Sequence, residues 1–139
     1  MLLNIPFTLA PLIVYNLVGL GLMGSYGPGT WANPVLTVPL VSGAEFTLEL
    51  GYLMVIAGLV FLFIEIIKAT HTAGPSIFDH GLSMAVFIIY LVEFIAVSFC
   101  ATSVFFVLLV IALIDVVGGF TITIRGARRD FGYERPDSL

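Results

Sequence analysis

Four apolar stretches dominate this chain, at about residues 5–23, 48–68, 81–100 and 104–124. A run of about 20 apolar residues crosses the ~30 Å hydrocarbon layer of a bilayer as a helix. Within that layer each backbone polar group needs a partner inside the protein, so helices are the default spanning element. The pattern predicts an all-α integral membrane protein with four transmembrane helices. At 139 residues, the spans and their connections make one domain over 1–139, with no length left for a soluble domain. Composition agrees: 60% of residues are apolar, 10% are charged, and the mean hydropathy is +1.14. That exceeds ordinary globular usage.

Charge sets the expected topology. The five basic residues are Lys68, Arg125, Arg128, Arg129 and Arg135. In a four-helix hairpin arrangement all of them face one compartment. Basic residues beside span ends mark the cytoplasmic side. Both termini are therefore expected in the cytoplasm, with 24–47 outside and a basic cytoplasmic tail over 125–139. A bacterial inner membrane suits the small size and the lack of organelle-targeting features. Lys68, Arg125, Arg128 and Arg129 are expected at the lipid headgroups, where anionic lipids add ~1 kcal/mol per residue. The chain has no spread basic face, so a nucleic-acid partner is not expected. Cys100 is the sole cysteine, which excludes an internal disulfide and a multi-cysteine zinc site. Residues 1–4 lack a basic segment, so the first span is expected to be retained rather than cleaved.

The first span carries Pro6 and Pro11 near its start, where proline is best tolerated. Asn16 inside it is expected to bridge to a neighbouring helix. Glycines and prolines between Gly24 and Pro39 forbid a regular helix and predict an outer loop. Tyr26 and Trp31 suit the membrane–water boundary. Residues 35–40 are apolar and extended in character, but Pro39 argues against a paired strand there. Ser42 and Glu45 have the spacing of a capping box opening the second helix. Along that helix Gly51, Gly58 and Glu65 recur every seven residues, a stripe suited to close helix contact. Gly118 and Gly119 are expected to play the same packing role in the fourth helix. Glu65 and Lys68, three apart, can pair.

Residues 81–124 as one helix would be ~65 Å long, about twice the bilayer core. The run must break, and Ser98–Ser103 is its only polar interruption. Residues 71–80 connect the second and third spans. His71, Asp79 and His80 match no standard metal-site spacing, and neither histidine lies deep in a span as a membrane haem would require. No cofactor is expected.

Glu93 and Asp115 lie well inside the third and fourth spans. A charge at the bilayer centre costs at least ~2.5 kcal/mol, so such groups face protein or water. Helix rise places the two acids ~8 Å apart in depth, too far for a direct hydrogen bond but bridgeable by water or Tyr90. Three readings follow. Each acid, protonated, bonds across a helix interface. Alternatively Glu93 and Asp115 relay protons or a cation, with Glu65 near the inner exit. Or they meet polar groups of another subunit. No catalytic motif such as HExxH or GxSxG occurs, so an enzyme is not expected. The leading expectation is a non-catalytic subunit of a homo-oligomer or larger membrane complex, with lipids and other membrane subunits, or itself, as partners. The alternative is a small proton- or cation-coupled transporter.

Overall fold

The computed structural model describes the backbone of residues 5–71 and 77–130, and the side chains of 5–70 and 80–125. The fold is mostly helical: α1 (Leu9–Gly19), a β-hairpin of β1 (Pro34–Pro39) and β2 (Glu45–Glu49), α2 (Leu50–His71), α3 (Ile77–Ala96) and α4 (Ser103–Asp130). The stretches Leu50–Thr70 in α2 and Ser103–Arg125 in α4 are long and apolar enough to cross a membrane.

The helices alternate in direction. Gly19 at the end of α1 meets Phe99, between α3 and α4, whereas Phe7 just before α1 bonds Glu65 near the end of α2. Gly51 at the start of α2 packs on Val104 at the start of α4, and His80 near the start of α3 bonds Thr123 late in α4. One end of the bundle therefore carries Ile5, Lys68, His80 and Thr123, and the opposite end carries the hairpin and residues 97–102. The core is built from Tyr15, Tyr90, Phe105, Leu108 and Ala112, all buried.

The expected break in the long apolar run is present. A short 3-10 turn at Ser98–Cys100 leads to α4 at Ser103. Thr102 helps start α4: its Oγ1 accepts the backbone N–H of Phe105 at 3.1 Å, the bond of an N-cap side chain.

Four boundaries differ from the sequence expectation. First, helical structure in the 5–23 stretch is confined to Leu9–Gly19, 11 residues or ~17 Å. Its end is a Schellman closure: Leu22 N–H donates to Leu17 O, Gly21 N–H donates to Val18 O, and Gly21 takes φ +74°. Second, paired strands β1 and β2 replace much of the loop expected over 24–47, and Ser42–Glu45 does not cap a helix. These residues form the hairpin turn, and α2 opens at Leu50. Pro39 does pair, opposite Glu45. In a two-stranded sheet both strands are edges, so a missing N–H can face outward without breaking the ladder. Gly43 at φ +84° closes the turn, with Leu40 N–H donating to Ala44 O at 2.8 Å. Third, α3 begins at Ile77 rather than 81. Fourth, α4 continues to Asp130, so the first residues of the expected tail are helical.

Candidate functional site

Three acids dominate the interior, and α1 with its leading residues touches each of them. Pro11 brings no N–H to the first turn of α1 and Pro6 none ahead of it, so this helix starts with few backbone bonds of its own. Thr8 occupies the cap position but makes no capping bond. Its Oγ1 instead donates to Asp115 Oδ2 at 3.1 Å, with both side chains buried. Ser83 of α3 also lies within hydrogen-bonding reach of Asp115. One residue earlier, Phe7 N–H donates to Glu65 Oε2 at 3.0 Å. Two carboxyl groups thus stand at the N-terminal end of α1, the positive end of its dipole.

Lys68 completes this end. Its Nζ lies 2.5 Å from Glu65 Oε1, 3.4 Å from Ile5 O and 5.2 Å from the centre of the Phe7 ring. Expected at the headgroups, it is half-buried and holds the chain leading into α1.

Higher in the bundle, Asn16 Nδ2 donates to Glu93 Oε2 at 2.8 Å and to Leu12 O at 3.0 Å. Asn16 therefore makes the interhelix bridge expected of it. Tyr90 Oη donates to Thr8 O at 3.1 Å, so it joins α3 to α1 rather than linking Glu93 with Asp115. At the hairpin end Tyr15 Oη bonds Thr102 Oγ1 at 2.6 Å and Phe99 O at 3.1 Å. Its ring stacks on Trp31 at 4.4 Å. Trp31, expected at a boundary, is buried, and its Nε1 has no hydrogen-bond partner among the described residues.

The glycine stripe of α2 lies against α4. A Cβ at Gly51 would fall 2.7 Å from Val104 Cγ2 and 3.0 Å from Trp31 O, and one at Gly58 would fall 2.8 Å from Leu108 Cδ2. A Cβ at Gly119 would fall 3.0 Å from His80 Nδ1, whereas among the described residues nothing lies within 4 Å of a Cβ at Gly118. Gly118 therefore makes no close contact of the kind expected. His80 bonds Thr123 and stacks on Phe120 at 5.1 Å. The side chains of His71, Asp79, Arg128 and Arg129, and all of Arg135, lie outside the described residues. Arg125 is exposed on α4.

Apart from Asn16, the partners of the acids carried no sequence signal. A backbone N–H ahead of α1 and a hydroxyl at its cap form no spaced motif. No protein-family model, curated protein or solved structure matches this chain.

Proposed function

We propose that this chain is a four-span integral membrane protein, its short α1 reaching from the Glu65 end of the bundle to the Phe99 end beside three longer helices, with both termini on the cytoplasmic side, acting as a non-catalytic subunit of a membrane complex. The observation that supports this reading is an inverted distribution of polarity. Thr8, Glu65, Ser83 and Asp115 are buried, while Ile56, Val60, Phe63, Ile88, Val92, Val110, Leu113 and Val117 are exposed around the outside of the helices. A water-soluble helical bundle has the opposite arrangement, whereas in lipid the polar groups must turn inward. The acids each bond within the chain, so they act as internal fasteners in this reading. The glycine stripe is also occupied internally, which leaves the outer faces for contact with other subunits.

The test is the native mass of the tagged protein, extracted from its own membranes in a gentle detergent, with co-purifying chains identified. Stoichiometric foreign membrane subunits are expected. A bare monomer would overturn the assignment.

A second reading, proton- or cation-coupled transport, is favoured by one observation: the carboxyl groups of Glu65 and Asp115, on two different helices, bond the adjacent residues Phe7 and Thr8. Under it, Asp115→Asn abolishes pH-dependent flux in liposomes without unfolding the protein. Unchanged flux would dismiss it.

A further inference from the structure

The hairpin has two unlike faces. Its register pairs Leu36 with Leu48, Thr37 with Thr47, Val38 with Phe46, and Pro39 with Glu45. Directly paired residues share a face, and alternate residues along a strand share a face. Leu36, Val38, Leu40, Phe46 and Leu48 therefore lie together on one side. Thr37, Pro39, Glu45 and Thr47 lie on the other, where the two threonine hydroxyls sit 3.2 Å apart. Among the described residues the apolar side is left open up to Leu48, which is half-buried: residues 32–47 are exposed throughout, and Val41 at the tip is fully so. An isolated two-stranded hairpin is marginal in water, and an uncovered apolar face marks a docking surface.

We infer that this hairpin is an interfacial element that lays its Leu36–Val38–Leu40–Phe46 face into the acyl-chain boundary of the outer leaflet and keeps its threonine face in water. The inference rests on the membrane reading above. Three features favour lipid over a second copy. The hairpin runs directly into α2 at Leu50, within one helical turn of the exposed apolar residues Tyr52 and Leu53. Only Leu36, Val38, Leu40 and Phe46 open that face, each partly exposed, and Leu48 is half-buried. Two copies joined by four such side chains would bury less than the ~1,200 Å² of a stable interface. The two faces also match the one-sided burial of an element lying in the bilayer interface.

The test uses the full chain in phosphatidylcholine vesicles with brominated acyl chains, which quench nearby tryptophan. Trp31→Phe removes the native fluorophore and keeps an aromatic ring on Tyr15. In that background Phe46→Trp reports the apolar face, Thr47→Trp the polar face and Val60→Trp the middle of α2. Bromines near the headgroup are expected to quench the Phe46→Trp probe at least two-fold and to spare the Thr47→Trp probe, which aqueous acrylamide quenches instead. Deep bromines should quench the Val60→Trp probe, and failure there alone refutes the membrane reading. With that control quenched, a Phe46→Trp probe open to acrylamide and untouched by bromine overturns the inference. A probe shielded from both, with shielding that grows with protein density, assigns the face to a second copy and also overturns it. Should Trp31→Phe fail to fold, a nitroxide on Phe46→Cys in the chain retaining Trp31 gives the same answer. Higher accessibility to oxygen than to a nickel chelate supports lipid contact, and the reverse refutes it.

Discussion

The bond between Thr8 and Asp115 offers the sharpest test of how α1 is held. Thr8→Val keeps the shape of the side chain and removes the hydroxyl that donates to Asp115 Oδ2 at 3.1 Å. Thr8 and Asp115 are 2% and 5% exposed, so water cannot readily replace the lost donor. Leaving a buried acceptor unsatisfied costs ~1–3 kcal/mol. Ser83 remains within reach of the same carboxyl, and Tyr90 bonds the backbone oxygen of Thr8, which the substitution preserves. Both facts place the cost at the low end, ~1 kcal/mol. Side-chain hydrogen bonds between membrane helices average ~0.6 kcal/mol by double-mutant cycle and reach ~1.7. A cycle with Asp115→Leu should therefore give a coupling of about 0.6–1.7 kcal/mol.

The protein supplies its own reporter. Trp31 is the only tryptophan, and it stacks on Tyr15 of α1 at 4.4 Å. Its emission during unfolding in mixed micelles of rising sodium dodecyl sulfate content follows the release of α1. A coupling below about 0.3 kcal/mol, within the additivity of independent sites, would refute the claim that this pair fastens α1.

Three further outcomes follow from the packing. Gly51→Ala should cost ~1–3 kcal/mol, the range for overpacking, because its new Cβ meets the backbone oxygen of Trp31 at 3.0 Å. Gly58→Ala meets only the ends of flexible side chains and should cost less; equal losses in the same unfolding assay would refute the distinction. Gly118→Ala meets none of the described residues within 4 Å and should be neutral or stabilise α4 by up to ~1 kcal/mol through helix propensity, so measured destabilisation would refute this placement. Cys100, fully buried, should resist maleimide in the folded protein and label at once in denaturant; rapid labelling of the native protein would contradict its placement.

The long helices were legible because length alone constrains them. A run from 81 to 124 cannot continue unbroken, and its single polar interruption marks the turn. The hairpin was harder to read because two local signals competed with it. Pro39 argues against a strand only where its N–H would be needed in the ladder, and Ser42 and Glu45 matched a helix cap by spacing alone. The period-two pattern of Leu36, Val38 and Leu40 against Phe46 and Leu48, closed by Gly43, carried the correct information. The shortening of α1 was written in Gly21, whose positive φ needs a residue without a Cβ. The inward direction of the acids followed from desolvation cost. Asn16 was legible as a bridging residue, but Phe7 N–H and Thr8 were not, because they become neighbours of Glu65 and Asp115 only through tertiary packing.

That packing gives the acids a physical reason to be where they are. Under the proposed membrane placement, with lipid tails as apolar as leucine, the helices gain little from apolar burial and associate through close packing and hydrogen bonds. The helices α2 and α4 have close packing available, through Gly51 and Gly58 against Val104, Leu108 and Ile111. The first helix is short, begins among prolines and keeps Ile13, Val14 and Leu17 facing outward. Beyond the packing of Leu12 and Tyr15 in the core, its attachment draws on polar bonds, and each neighbouring helix supplies one: Glu65 from α2, Glu93 from α3 and Asp115 from α4. One acid alone would fix a point. Three, spread from Phe7 to Asn16, fix both the depth and the rotation of α1. The same bonds satisfy the acids, so the costliest residues of the interior and its least self-sufficient helix stabilise one another.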